Sequence, residues 1–314
     1  MSGTSVGIDI GGTKMLGVRV TDGAVVERIK SETSDGPDTL RKAATEIAER
    51  LWSDEVSALG VGVAGLVAWP RGEFMWGPHL AGTQVPLRDD LLAAFDVPVV
   101  VDNDANMAAW AELHLGRGRG CSTMVLVTLG TGIGGAMVIN GDVYRGRSFA
   151  GEWGHMRFEP GGAVCHCGKQ GCWETAASGP ALVRLAREVI ALNPSGTFAQ
   201  MFQSGDPTGE AVTAAAAAGD ETARSIVARV GAALGQGLCT LVAILDPEII
   251  VVGGGLGSVG DVLLEPARRV MYDALHGGSF RSAPPIVTAA LGSEANAIGA
   301  ALLAHHVATG EVAL

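Results

Sequence analysis

The stretch DIGGTK, Asp9 to Lys14, directly continues the apolar run that begins at Val6. A strand that delivers a carboxylate and then a glycine turn can point backbone amides, a hydroxyl and an ammonium at one place, which makes an anion site. The Asp9 carboxylate beside this turn suits Mg²⁺, held directly or through water. In the alternative, the glycines merely turn an ordinary hairpin. The residues predicted to hold phosphate here are Gly11, Gly12, Thr13 and Lys14.

A second copy of this pattern runs from Met124 to Tyr144, MVLVTLGTGIGGAMVINGDVY. The offset that aligns Asp22-Gly23 with Asn140-Gly141 also aligns Gly12-Thr13 with Gly130-Thr131. The sequence therefore indicates a duplicated strand-turn-strand core, with a phosphate-binding turn in each copy. A third glycine turn ends the strand EIIVV and resembles a nucleotide contact at a strand's carboxyl end. The phosphate or nucleotide contacts predicted from these two turns are Gly130, Thr131, Gly132, Gly254 and Gly255.

Predicted strands alternate with predicted helices between and after the two copies, which favours an α/β fold. The second half is strongly helical, with one long Ala-rich region predicted at 209–244 and a last helix at 294–307. We place a lobe boundary near the GRGRG stretch at 116–120. The predicted organisation is a small α/β lobe at 1–117, joined by the C-terminal helix at 294–314, and a larger lobe at 118–293.

The composition excludes several classes of function. Acidic residues number 33 against 22 basic ones, and the net charge of −11 opposes binding to nucleic acid. The sequence lacks a secretory signal and any apolar run near the roughly 18 residues that span a bilayer. We therefore expect a soluble cytoplasmic protein with no membrane partner.

Polar residues cluster where the apolar run VPVVV ends, in the sequence DNDAN from Asp102 to Asn106. One of them must cap the following helix, since Asp and Asn accept hydrogen bonds from its first amides. That requirement leaves a second carboxylate and an amide at the carboxyl end of a strand, the usual ligand position in an α/β sheet. A carboxylate placed there can remove a proton from an alcohol that attacks phosphorus.

Three of the five cysteines lie in CHCGKQGCWE, as Cys165, Cys167 and Cys172. A reducing cytoplasm disfavours a structural disulfide, and three thiolates with one imidazole make a closed tetrahedral zinc site. His155 and His166 are both candidates for the fourth ligand. Free thiols or a redox pair are the alternatives.

Taken together, DIGGTK, DNDAN and CHCGKQGCWE resemble the ROK family of sugar kinases and repressors, over essentially the whole chain. The resemblance implies the two-lobed, ribonuclease-H-like fold of the actin, hexokinase and heat-shock ATPases, with His155 as the fourth zinc ligand. It also implies that Asp104 is the general base. The sugar contacts that it implies are Gly65, Asn103, Asp104, Glu152, His155 and Glu174. Without the family resemblance, we would interpret Glu152 and Glu174 as solvated carboxylates on a loop.

The resemblance further implies ATP-dependent phosphorylation of a hexose at its 6-hydroxyl, with glucose as the expected acceptor, ATP and Mg²⁺ at the glycine turns, and structural Zn²⁺. Kinases for mannose, fructose, allose, glucosamine or N-acetylmannosamine, a polyphosphate donor, and a sugar-sensing repressor stay open as alternatives. Relatives lead us to expect a homodimer or homotetramer. This chain departs from the family pattern at Ala64 and His79, where Pro and Asn are common, which puts fine sugar specificity in doubt.

Overall fold

The computed structural model describes residues 3–33, 38–203 and 205–313. Its strands and helices alternate along the chain, as predicted for an α/β fold. The strands are β1 Thr4–Ile10, β2 Lys14–Thr21, β3 Ala24–Glu32, β4 Val56–Val63, β5 Leu66–Ala68, β6 Glu73–Trp76, β7 Val99–Asn103, β8 Met124–Leu129, β9 Ile133–Ile139, β10 Asp142–Val143, β11 Ile249–Gly253 and β12 Ile286–Thr288. The helices are α1 Thr39–Leu51, α2 Leu87–Ala94, α3 Asp104–His114, α4 Glu174–Ala177, α5 Gly179–Leu192, α6 Thr197–Gln200, α7 Gly209–Ala217, α8 Glu221–Leu245, α9 Gly254–Gly257, α10 Asp261–Ala274 and α11 Ala295–Ala308.

Ten of these strands form two five-stranded sheets with the same internal order, while β5 and β6 pair as a separate two-stranded sheet. The first sheet has the order β3-β2-β1-β4-β7, and the second has the order β10-β9-β8-β11-β12. In the first, β1, β2 and β3 pair as an antiparallel meander, while β4 and β7 are parallel to β1. In the second, β9 and β10 are antiparallel and β11 and β12 are parallel. Each sheet thus repeats one meander followed by two further strands, which confirms the duplication read from the two glycine turns.

The chain forms two compact units. The first comprises Met1–Leu126, Ala136–Gly151 and Ala290–Leu314, and the second comprises Val127–Gly135 and Glu152–Ala289. Three segments predicted to lie in the second lobe, 118–126, 136–151 and 290–293, therefore group with the first unit. The division into two lobes at 1–117 and 118–293 stays a prediction. The ends of the first lobe and of the C-terminal helix, residues 1–2 and 314, lie outside the described residues.

Both faces of the first sheet are covered. One face packs against α1 and α2 in a core that includes Ile8, Ile47 and Leu91, all buried. The other face packs against α11, which approaches β1 and β4 at their glycines. A Cβ atom on Gly7 would lie 2.0 Å from the carbonyl oxygen of Ala297, and one on Gly60 would lie 1.9 Å from that of Ala300. Because only glycine allows this approach, the C-terminal helix packs directly on β1, the strand that leads into the first glycine turn, and on its neighbour β4.

The Ala-rich region at 209–244 is helical, as predicted, but it is not one continuous helix. It is two helices, α7 and α8, separated at Gly219, whose φ is +101°, and restarted by Asp220, whose side chain accepts from the Ala223 amide. A glycine in the left-handed region ends a helix, and an aspartate caps the next one. Helix α8 is long and apolar enough to cross a membrane, but 56% of its most apolar window is buried inside the fold. That burial is typical of a core helix.

Candidate active site

The first glycine turn joins β1 to β2 and is held by its own backbone. The Gly11 amide donates to the Lys14 carbonyl at 3.1 Å, and the Thr33 hydroxyl donates to the Gly11 carbonyl at 2.6 Å. Gly11 therefore shapes the turn with its amide. The groups left to face an anion are the amides of Gly12 and Thr13, the Thr13 hydroxyl and the exposed Lys14 ammonium.

Asp9 lies at the end of β1, half-buried beside this turn. The Asn296 side-chain amide on α11 donates to its Oδ1 at 3.3 Å. Burial raises the pKa of Asp9 to about 6, and the Asn296 hydrogen bond only partly offsets it. A carboxylate that is costly to ionise alone gains from a cation placed next to it, so the environment of Asp9 suits Mg²⁺.

The loop at 77–82 covers the first turn. A Cβ atom on Gly12 would lie 2.3 Å from Cβ of His79 and 3.1 Å from its carbonyl oxygen. Neither atom is the free end of a flexible side chain, so Gly12 cannot be enlarged without moving the backbone of the loop or of the turn. His79 itself is exposed.

We expect Gly12→Ala to raise the KM for ATP by at least about tenfold, because a displacement of about 1 Å in a positioning element costs up to about 100-fold. Steady-state kinetics with varied ATP measures the change. Gly205→Ala is the matched control, since a Cβ atom there meets nothing within 4 Å. An unchanged KM in the Gly12 variant would show that this turn does not hold the donor.

The second and third glycine turns lie at the same edge of the second sheet, after the adjacent strands β8 and β11. The Gly130 amide donates to the Gly132 carbonyl at 3.0 Å, and the Gly179 amide, at the start of α5, donates to the Gly130 carbonyl at 2.9 Å. Gly254 has a φ of +79°, and a Cβ atom there would lie 2.3 Å from the Leu129 carbonyl oxygen. The structure therefore brings the predicted residues of these two turns together.

The end of β7 carries the predicted sugar-side cluster. Asn103 caps α3, because its Oδ1 accepts from the amides of Ala105 at 2.8 Å and Asn106 at 3.2 Å. Its Nδ2 donates to the Gly65 carbonyl at 3.0 Å. Asp104 is the first residue of α3 and half-buried. Gly65, Asn103 and Asp104 therefore meet in one place, and a sugar hydroxyl at Asn103 would accept its second amide hydrogen.

The cysteine loop gathers four potential metal ligands. One ligand atom from each of four side chains lies within 4.8 Å of the other three, and those side chains are His155, Cys165, Cys167 and Cys172. The Sγ atoms of Cys167 and Cys172 are 3.6 Å apart, and Cys165 Sγ is 3.7 Å from His155 Nδ1. A tetrahedral zinc with Zn–S bonds of about 2.3 Å separates two sulfur ligands by about 3.8 Å. The donor set and its spacing are therefore compatible with structural zinc.

His155 turns its two ring nitrogens to different neighbours. Nδ1 faces Cys165, while Nε2 lies 3.9 Å from Oε2 of Glu152. Partial burial raises the pKa of Glu152, and the nearby His155 lowers it while Glu174 raises it. A metal on Nδ1 would fix the direction of Nε2, as expected for a histidine that serves a metal and a substrate at once.

The chain is similar to characterised proteins over nearly its whole length. The ROK family profile matches residues 5–307. The chain belongs to the ROK family. A glucokinase of Streptomyces coelicolor is 37% identical over 96% of this chain and 98% of its own length. The crystal structure of a ROK family glucokinase from Streptomyces griseus in complex with glucose and AMPPNP has a TM-score of 0.87 at 35% identity and covers 97% of this chain and 100% of its own. A ROK family transcriptional regulator has a TM-score of 0.86 at 25% identity and covers 98% of this chain but 79% of its own.

One predicted site residue of this ROK family chain, Glu174, has contacts that the sequence did not indicate. Glu174 Oε1 lies 3.0 Å from Cys165 Sγ, and its Oε2 accepts from the Ile133 amide at 3.3 Å. Glu174 therefore bridges the cysteine cluster and the second glycine turn, and its predicted sugar contact stays a prediction. The rival ligand His166 lies outside the four-residue cluster and lines a cavity of about 150 Å³ with Thr131 and Arg184.

Sequence reasoning missed the residue that anchors the cysteine loop. Trp173, between Cys172 and Glu174, is fully buried and donates from Nε1 to the Ala233 carbonyl at 2.9 Å. Its ring lies where a Cβ atom on Gly237 of α8 would be, 2.0 Å from that position. The CWE tripeptide carries the signal, since a tryptophan flanked by a ligand and an acid is a natural anchor for both.

Proposed function

We propose that this ROK family chain transfers the γ-phosphoryl group of ATP to the 6-hydroxyl of glucose. The observation that carries the proposal is the likeness, over nearly the full length of both chains, to a glucokinase crystallised with glucose and AMPPNP. The cluster at the end of β7 supports it, because Asp104, Asn103 and Gly65 together offer a base and polar groups for one alcohol.

In the proposed reaction Asp104 takes the proton of the 6-hydroxyl as its oxygen bonds to the γ-phosphorus. The bond from that phosphorus to the bridging oxygen breaks, and ADP leaves with the electron pair. The proposed phosphate contacts are the Gly12 and Thr13 amides in the first unit and, in the second unit, the glycine turns after β8 and β11. Asp9 would hold Mg²⁺, which neutralises developing phosphate charge. Positioning contributes as much as basicity, since little covalent chemistry falls to the protein.

The proposed role of zinc is structural. His155 and the three cysteines would hold it in a closed site with no open position, so it takes no part in the chemistry. Its effect is to fix Glu152, His155 and Glu174, which we propose as contacts to sugar hydroxyls. The proposed assembly is a homodimer or homotetramer in the cytoplasm.

A panel of sugars tests the acceptor. We expect kcat/KM with ATP to be highest for glucose among glucose, mannose, fructose, allose, glucosamine and N-acetylmannosamine, because a site that pairs a hydroxyl strongly rejects its absence. Polyphosphate is tested beside ATP as donor. A higher kcat/KM for another sugar would reassign the substrate, while inactivity on all of them combined with sugar-dependent DNA binding would favour a regulator.

The pKa of Asp9 predicts how ATP use depends on pH. As pH falls through about 6, Asp9 takes up a proton and loses its charge for Mg²⁺. We expect the KM for Mg-ATP to rise below pH 6 and to be flat from pH 7 to 8. Asp9→Asn is the control, because its amide cannot take up the proton, so its KM for Mg-ATP should be raised at every pH and should not change between pH 5 and 8. A pH dependence that persists in this variant would assign the effect to another group.

A further inference from the structure

Asp102, two residues before the proposed base, is a fully buried carboxylate with a buried partner. Its Oδ2 accepts from Nε of Arg145 at 2.7 Å, and Arg145 is 7% exposed. Its Oδ1 accepts from the Asn103 amide at 2.7 Å and from Nδ2 of Asn106 at 3.0 Å. The carboxylate therefore binds both the strand end and the first turn of α3, on either side of Asp104.

Arg145 also binds elements other than β7. Its Nη1 donates to the Val143 carbonyl at 2.9 Å, and its guanidinium carbon lies 3.9 Å from the ring centroid of Trp69. Trp69 follows the short strand β5, which begins next to Gly65. One ring face of Trp69 is thus occupied by the arginine side chain.

The backbone of Arg145 organises the loop that follows it. Its carbonyl accepts from the amides of Ser148 at 2.8 Å and Ala150 at 3.2 Å. Ser148 has a φ of +109°, a conformation that costs a non-glycine residue energy. Its hydroxyl compensates by accepting from the Trp69 amide at 3.1 Å and lying 3.2 Å from the Trp69 carbonyl. This loop ends at Gly151, the residue before Glu152.

Stability alone does not explain such a network. A buried ion pair repays its desolvation cost poorly, and apolar residues of similar volume are often as stable or more so. Within the described residues, Nη2 of Arg145 and Oδ1 of Asn106 are also buried without a hydrogen-bond partner. Burying a donor and an acceptor without partners costs free energy. The planar guanidinium of Arg145, however, fixes the orientation of the carboxylate that it binds.

We infer that Arg145 is a positioning residue for phosphoryl transfer. It orients Asp102, and through Asp102 the Asn103–Asp104 segment, relative to the turn at Gly65–Trp69 and to the loop that leads to Glu152. The inference rests on the proposed function, because it assigns Asp104 as the group whose position matters. The guanidinium of Arg145 contacts Asp102 and Trp69, and its backbone carbonyl holds the loop that follows it, so one residue joins three segments that are far apart in sequence.

The test compares a neutral pair with the charged one. D102N/R145M removes both charges, while the amide oxygen that replaces the carboxylate can still accept from the Asn103 amide, so the fold is expected to survive with a similar Tm. We expect its kcat for glucose to fall by about 100-fold, the cost of misplacing a reacting group by about 1 Å. The KM for ATP should stay near the wild-type value, and R145K should give an intermediate kcat. R71M is the control, since Arg71 is an exposed side chain near Trp69.

A second readout works without turnover. Hydrogen exchange of the amides at 102–106 and 145–150 should speed up by at least about tenfold in D102N/R145M and not in R71M. A folded double variant with wild-type kcat and wild-type exchange would overturn the inference. If the wild-type protein phosphorylates no sugar, the proposed function fails. In that case faster exchange at both segments of the double variant would still support the positioning role of Arg145, and unchanged exchange would contradict it.

Discussion

Replacing Asp104 by asparagine is expected to lower kcat for glucose phosphorylation by about 10²–10⁴-fold, the contribution of a positioned general base. Asparagine keeps the size of the side chain and the oxygen that accepts from the Ala105 amide at 2.9 Å. It cannot accept the proton of the 6-hydroxyl. Affinity for glucose should change much less, because a neutral oxygen still pairs with the hydroxyl. Steady-state kinetics and calorimetric titration with glucose separate the two effects.

Asp89→Asn is the matched control for this substitution. Asp89 is an exposed carboxylate in the first turn of α2, so its loss removes a comparable interaction with a helix amino terminus without touching β7. We expect its kcat to stay at the wild-type value. If the Asp104 variant retained turnover within about tenfold of wild type, far above the range for a lost base, another group would have to remove the proton.

The duplicated core was readable from the sequence because its signals are local. Gly12-Thr13 and Gly130-Thr131 sit between apolar segments at matching offsets, and both sheets have the same strand order. The sequence predicts that one of the polar residues at 102–104 caps α3, but it does not predict which one. Asp102, Asn103 and Asp104 are all competent caps, and the structure selects Asn103 because Asp102 is engaged by Arg145.

The Asp102–Arg145 pair could not be predicted from the sequence. The two residues are 43 positions apart, on β7 and after β10, and nothing in the sequence RGRS marks the arginine at 145 as buried. The contacts of Glu174 were hidden for the same reason. Its Oε2 accepts from Ile133, 41 residues earlier, and such contacts depend on how the chain returns to the sheet. Local patterns predict turns, caps and ligand spacing, whereas long-range polar pairs require the tertiary structure.

Removing the metal is expected to weaken glucose binding by at least about tenfold, comparable to the roughly 10- to 100-fold loss of metal affinity or activity when a residue that orients a metal ligand is mutated. His155 would no longer have Nδ1 fixed, and its Nε2 and Glu152, 3.9 Å away, would lose their orientation together. AMPPNP affinity should fall less, because the cluster is linked to the second glycine turn through a single hydrogen bond, which the Ile133 amide donates to Glu174. Elemental analysis, then titration with glucose and with AMPPNP before and after a strong chelator, measures these effects.

Two cysteine variants distinguish loss of the metal site from loss of any thiol. Cys172→Ser removes a member of the cluster, and Cys239→Ser removes a cysteine outside it. Cys172 is a buried member of the cluster, while Cys239 lies on α8, where its thiol donates to the Ala274 carbonyl. The Cys172 variant should lose zinc and glucose affinity together, and added zinc should not restore either. The Cys239 variant should keep both. Because metal binding contributes to folding, the Cys172 variant must also be checked by Tm. The proposal that zinc supports the sugar site would be contradicted if the native protein contains no zinc, or if zinc-free protein binds glucose with unchanged affinity.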